Sequence, residues 1–337
     1  MNRYRILSII FAIFCLSVFA QEKDNFEEKQ DEYFQTVKKS FGNLKNTKTE
    51  NFYINYTSPN IGNYPKTLEG LVSLFRRVMS IKPTDKVFNG RLEIYLWEKR
   101  DEFIRFAAEF EKFNASSAGG YFTVTQMGWP RVNLPLETGA AGKEANQARN
   151  YIVLFHEGTH AMFAKYLTDT SLPTWINEGL ADYFAFSILR EFYPKLNDSD
   201  GSQKRHVQYI QKKIQTGGLR SFRQLFHQQG TSGGADYEAY ALGWCITSLL
   251  LKSYKVQTVN FIKKIKMSSE LDGPVIPKGV MTKEEVEELQ QKLNGAKKQR
   301  EKILEDYFLE CFKMDIDKFG ETIYSQIKQN PAMLEKL

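Results

Sequence analysis

Five residues, His156-Glu157-Gly158-Thr159-His160, constrain this chain more than any other feature. They lie inside a helical apolar pattern running from about Lys143 to Leu167, directly after Tyr151-Ile152-Val153-Leu154-Phe155. On a helix, positions i and i+4 share a face. Both imidazoles can then reach one ion at the usual Zn–N distance of about 2.0–2.1 Å. Glu157 follows His156 by one position, points to the side of such an ion, and can take a proton from water bound there. The chain has only 4 His, so two of them at this spacing around a Glu form a specific pattern. The bland alternative is a pair of hydrogen-bonded helix histidines beside a salt-bridged Glu.

Two histidines leave such a site short, because a catalytic zinc takes three protein ligands and keeps one position open. The next carboxylate in a suitable context is Glu178, in Trp175-Ile176-Asn177-Glu178-Gly179-Leu180-Ala181-Asp182-Tyr183. The intervening stretch suffices to end one helix, cross a loop at Thr168 to Pro173, and return with a second, antiparallel helix opened by Pro173. Asp182 stands four residues after Glu178 on the same face, placed to accept the free N–H of a zinc-bound His. The alternative for Glu178 is an acidic residue favoured in a first helical turn by the helix dipole.

This combination, H-E-x-x-H and then Asn177-Glu178-x-x-x-Asp182, resembles the gluzincin metallopeptidases, both thermolysin-like and aminopeptidase N-like. The stretch Leu172-Pro173-x-Trp175-x-x-Glu178-Gly179-x-Ala181-Asp182-Tyr183 is most similar to small bacterial peptidase MA-like domains. The likeness is specific over 156–183 and looser over about 50–255. It implies a zincin-like catalytic domain and one Zn2+ per chain, held by His156, His160 and Glu178. It also implies Glu157 as general base, Asp182 behind the ligands, and a peptide or protein substrate. Aminopeptidase N-like enzymes carry a catalytic Tyr with a Gly three residues on. Tyr240 and Gly243 have that spacing here, which implies Tyr240 as a donor to an oxyanion, with Tyr237 one turn earlier as the fallback. The Gly-x-Met-Glu-Asn motif that grips a free amino terminus in that family is absent from this sequence. Short strand candidates before the active helix suit an extended peptide bound as an added strand. Both features favour an endopeptidase. Two other readings stay open: a non-catalytic zinc-stabilised surface or peptide-binding module, and a zinc hydrolase acting on a non-peptide bond. The intact Glu157 speaks against the first, since holding zinc does not need it.

Around this motif the chain reads as α+β, with mixed strands and helices first and helices afterwards. Strand patterns occupy Asn51 to Tyr56, Leu92 to Trp97, Gly119 to Val124 and Arg131 to Leu136. The last two are joined by a turn at Gly128-Trp129-Pro130, and Pro135 marks a strand end or a sheet edge. Helical spacing covers Thr67 to Ile81, Glu102 to Phe113, Pro173 to about Phe192, and Tyr237 to Tyr254. A charged helix is expected over 282–305 and an amphipathic one over 306–328. Gly139 to Gly142 is a break, and 228–234 a flexible loop.

The first twenty residues have the form of a signal peptide: Arg3 and Arg5, an apolar run from Ile6 to Phe19, and small residues Val18 and Ala20 before a polar stretch. The run is shorter than the ~20 residues of a spanning helix, which argues against an uncleaved anchor. The expected organisation is a signal peptide over 1–20 and a polar tether or loose helix over 21–50. A catalytic domain follows over 51–255, then a helical C-terminal extension over 256–337, packed on it or continuous with it. Export to the periplasm or the extracellular space follows, with no stable membrane insertion after cleavage. The net charge of +6 is small and acidic residues are interleaved throughout, so no nucleic-acid partner is expected. Cys245 and Cys311 either form one bridge or remain thiols. His206, among Lys204, Arg205 and Gln208, reads as exposed. His227 reads as a loop-edge residue or a second oxyanion donor.

Overall fold

A computed structural model describes residues 26–88, 90–125, 128–136, 143–168, 170–228, 236–271, 283–329 and 334. The signal-like segment 1–20, the 139–142 break and most of the 228–234 loop lie outside them. The described residues form two compact units. One comprises those up to Glu69 and those from Phe88 to Leu136; the other comprises Gly70–Val87 and everything after Leu136.

The first unit is an α+β layer. Helix α1 (Phe26–Ser40) leads to β1 (Lys45–Lys48) and β2 (Phe52–Tyr56), and helix α2 (Tyr64–Met79) then begins. Strand β3 (Leu92–Trp97), helix α3 (Arg100–Phe110), β4 (Tyr121–Val124) and β5 (Pro130–Pro135) complete it. The sheet order is β1-β2-β3-β5-β4. The central three strands are parallel, with Ile54 opposite Ile94 and Ile94 opposite Val132, while β1 and β4 run antiparallel at the edges. Strands β3 and β5 are buried along their whole length, as expected of parallel strands in a sheet interior. Strand β5 is therefore interior, not an edge; its two prolines sit at its first and last residues, where no ladder is broken.

Residues Phe26–Ser40 are a helix, the second of the two expectations for this segment, and it is packed rather than loose. Gln30, Phe34 and Val37 recur at helical spacing as the buried stripe of α1. Phe34, Val37, Phe41 and Leu44 join Tyr53, Tyr95, Trp97, Phe103 and Phe106 in one core. The charged residues that made the segment look loose lie on its outer face, where Asp31 pairs with Lys48 and Glu27 with Arg91. Within the same unit, Arg131 lies opposite Glu93 in register and donates from Nε to Glu93 Oε2 at 2.7 Å. Its Nη1 donates to Tyr33 Oη and Glu111 Oε1, and its guanidinium lies 4.0 Å over the Tyr33 ring.

The second unit is helical. It holds the remainder of α2 and then α4 (Lys143–Lys165), α5 (Thr174–Phe192), α6 (Pro194–Asp200), α7 (Ser202–Thr216) and α8 (Phe222–Phe226). The helices α9 (Tyr237–Ser253), α10 (Lys255–Lys266), α11 (Lys283–Phe312) and α12 (Ile316–Gln329) follow. The charged segment from 283 is thus one helix to Phe312. Helix α5 is apolar on most of its circumference, with Trp175, Ile176, Leu180, Phe184 and Ile188 fully buried, so it must be covered on several sides. Helices α4 and α9 cover it. The α5–α9 crossing is a backbone contact: a Cβ on Gly179 would fall 2.3 Å from the Gly243 carbonyl oxygen, and one on Gly243 would fall 2.6 Å from that of Trp175. Residues from α10 onward belong to this unit too. Phe222 and Phe226 of α8 meet Phe308 at ring distances of 5.8 and 5.5 Å, and Phe319 lies 5.1 Å from Phe308.

Cys245 is a buried thiol and Cys311 a half-buried one, with no bridge between them. Burial pushes Cys245 up to about 12, which leaves it unreactive. Among the described residues no helix is long and apolar enough to cross a membrane.

Two substitutions test this packing. Gly179→Ala should destabilise the protein by roughly 1–3 kcal/mol or more, because its methyl group meets a backbone oxygen that cannot rotate away; urea unfolding reads the loss. Arg131→Met should cost about 3–5 kcal/mol by leaving the buried Glu93 carboxyl without its cation. Adding Glu93→Leu to that variant should recover most of the loss in the same assay.

Candidate metal centre

Helix α4 presents His156 and His160 one turn apart, and the packing around them fixes their direction. Leu154, Phe155, Ala161 and Met162 are fully buried, and Thr159 Oγ1 bonds back to the Phe155 carbonyl at 2.7 Å. Gly158 keeps the helix close to α2, since a Cβ there would lie 3.3 Å from Leu71 Cδ2. Leu167 ends the segment in the left-handed region at φ 65, and the chain turns back into α5. There Glu178 and Asp182, one turn apart, face the two histidines.

Three ligand atoms converge. His156 Nε2 lies 3.2 Å from His160 Nε2 and 3.3 Å from Glu178 Oε2, and His160 Nε2 lies 3.4 Å from the same oxygen. Four ligands placed tetrahedrally at the 2.0–2.1 Å of Zn–N and Zn–O bonds are separated by about 3.3–3.4 Å. The observed triangle has that size. Its Glu178 Oε2 corner is buried and accepts no hydrogen bond of good geometry. Two imidazole lone pairs and a carboxylate oxygen turned on one another repel unless a cation stands among them. The donor set, two nitrogens and one oxygen, is that of a catalytic zinc site with one position left open. These residues fit a zinc ion.

The electrostatics point the same way. Burial alone would raise the carboxyls and lower the imidazole, and charge attraction overrides it. Against burial, His156 and His160 bring Glu178 down to about 2. Against burial, His156 and His206 hold Asp182 well below the ordinary carboxylate range. Burial works to lower His156 too, yet Asp182, Glu178 and Glu157 raise it well above the ordinary imidazole value. The pocket is held anionic and demands positive charge at His156, which a proton or a metal ion supplies.

Behind the triad, Asp182 Oδ1 lies 2.8 Å from His156 Nδ1, the contact that orients a metal-ligating imidazole. Its second oxygen, Oδ2, lies 3.1 Å from His206 Nε2, and His206 Nδ1 lies 2.8 Å from Tyr237 Oη. The expectation of an exposed His206 is overturned: it is 6% exposed, on a buried stripe of α7 with Val207 and Ile210. Lys204, Arg205 and Gln208 occupy the other faces. The signal was in the spacing of His206, Val207 and Ile210, which the flanking charges obscured.

Tyr240 stands near the centre, its ring 6.2 Å from that of His156. Tyr237, the fallback, is turned to His206 instead. Asp236 caps α9, accepting from the Ala239 N–H at 3.1 Å, and is itself gripped by both terminal nitrogens of Arg220. Glu157 is half-buried on α4, and no hydrogen bond or ion pair engages it among the described residues. His227 is not brought to the triad: its Nε2 lies 2.7 Å from Glu305 Oε1 on α11.

A family model described as "Protein of unknown function (DUF1570)" matches residues 151–272, a stretch that contains the triad, Asp182, His206 and Tyr240. No curated protein matches the chain.

Elemental mass spectrometry on the purified chain should find close to one zinc per molecule. Glu178→Ala and His156→Ala should each lose most of it. Stripping the metal with a chelator should lower Tm by a few degrees, about 2.7 kcal/mol for an ion present at 100 times its Kd.

Proposed function

We propose that the chain is an exported zinc-dependent metallopeptidase of gluzincin type that cuts within peptide chains. One observation carries the reading: the triangle of His156, His160 and Glu178, closed to 3.2–3.4 Å, lies beside an uncommitted Glu157 on the same helix. A zinc ion would be held by His156, His160 and Glu178 and would supply Lewis acidity for activating water. Glu157 takes the proton of the attacking water and hands it to the leaving amine. Tyr240 donates a hydrogen bond to the carbonyl oxygen as negative charge develops on it. Asp182 holds the Nδ1–H tautomer of His156, keeping Nε2 as the ligand atom.

Cutting within chains is supported by the missing amine-gripping motif. Export rests on the first twenty residues, and the triad needs no partner other than its peptide substrate.

Glu157→Gln tests the mechanism. It should retain zinc and fold while lowering cleavage of an unfolded protein such as denatured casein at least ~100-fold. Chelator should abolish the wild-type activity and added zinc restore it. A wild-type protein that binds zinc and cleaves no peptide would favour the non-catalytic module. A Glu157→Gln variant of undiminished activity would remove this residue from the chemistry.

A further inference from the structure

Asp182 is held from two sides, and the side away from the triad is built as carefully as the near one. Its Oδ1 takes His156 Nδ1 at 2.8 Å and its Oδ2 takes His206 Nε2 at 3.1 Å. His206 in turn meets Tyr237 Oη at 2.8 Å. Donor and acceptor inventory allows an assignment that satisfies the whole chain of groups. Tyr237 O–H donates to His206 Nδ1, His206 Nε2–H donates to Asp182 Oδ2, and His156 Nδ1–H donates to Asp182 Oδ1. In this assignment no member is left over. The line runs from α4 through α5 and α7 to the first residue of α9, all inside the helical unit.

The packing makes this a rigid support. His206 is buried between Phe186 and Trp244, with ring distances of 5.7 and 5.6 Å, so its ring cannot turn freely. Tyr237 is partly exposed and packs edge-on against Tyr209 at 5.1 Å. A carboxylate with one oxygen on His156 and the other unpaired could pivot about its χ2 torsion. Gripping the second oxygen removes that freedom, and with it a rotation of the His156 ring.

We infer that His206, set by Tyr237, is a positioning residue for the metal centre: it locks Asp182 and through it aims His156 Nε2 at the ion. The inference rests on reading the triad as a metal site. It reaches beyond that reading because neither His206 nor Tyr237 touches the triad's ligand atoms.

The test is zinc affinity of the purified chain by competition with a chromogenic chelator, with circular dichroism of the metal-free proteins as the folding control. His206→Ala should bind zinc about 10–100-fold more weakly, and Tyr237→Phe several-fold more weakly. The glutamine amide reaches where His Nε2 stood, and the asparagine amide only where Nδ1 stood. H206Q should therefore retain most of the affinity and H206N should not. Cobalt substitution should show an altered visible absorption band in H206N and a near-native one in H206Q. If His206→Ala does not fold, the H206Q and H206N pair decides. Affinity within twofold of wild type in His206→Ala, or equal loss in H206Q and H206N, would overturn the positioning role. A wild-type protein that binds no zinc would instead overturn the metal reading itself.

Discussion

The helical unit depends on a close approach of backbone to backbone. Where α5 crosses α9, Gly179 faces Gly243 so closely that neither position can carry even a methyl group. That contact sets the site because the functional residues flank it. Glu178 adjoins Gly179, and Tyr240 stands one turn before Gly243. The spacing of Tyr240 to Gly243 thus has a local physical reason: the glycine lets α9 come near enough to α5 for the tyrosine one turn away to reach the histidines' neighbourhood. Any side chain at either glycine would move the third ligand and the tyrosine together.

Given that crossing, the electrostatics of the centre follow. Bringing Glu178 and Asp182 into a buried pocket carries a desolvation cost that two neutral imidazoles cannot offset. The pocket favours positive charge: against the effect of burial, Asp182, Glu178 and Glu157 raise the pKa of His156 well above its ordinary range. A divalent ion offers the same compensation at the centre of the triangle, together with coordination bonds that a proton lacks. A metal ion bound there would displace a proton from His156. The alignment of Asp182 with His206 serves both states, because the Nδ1–H to Oδ1 bond persists whichever cation sits at Nε2.

Much of this was legible in the sequence, and the limits have physical causes. The i, i+4 histidines, the carboxylate on a returning helix and the second carboxylate one turn on are local periodicities. Those survive translation from sequence to structure because a helix places them by geometry alone. The α+β order and the strands at 52–56 and 92–97 were legible for the same reason. What failed was wherever a buried residue sits in charged surroundings. His206 and α1 both look solvated in a window of neighbours, because a helix that buries one narrow stripe displays charges on every other face. The place of β5 inside the sheet was hidden as well. Pro135, which read as a strand end or a sheet edge, is a strand end, and only the parallel pairing with β3 separates the two.

The two units bury ionisable groups by opposite strategies, and the contrast bears on which of them is a site. In the sheet unit, Glu93 and Glu111 converge on Arg131, whose guanidinium also meets Tyr33 and lies beside Trp129's carboxylate partner. A fixed cation of the protein's own answers those carboxylates, and a guanidinium cannot be titrated away. The Arg131–Glu93 pair links β5 to β3 in register. In the helical unit, the carboxylates converge on imidazoles, the side chain whose charge is optional near neutral pH. An optional cation leaves room for a competitor. A protein that needed only stability at Glu178 and Asp182 would have met them with an arginine, as it does at Glu93. Meeting them with histidines whose ligand atoms stand 3.2 Å apart leaves a triangle of donor atoms that fits a metal ion.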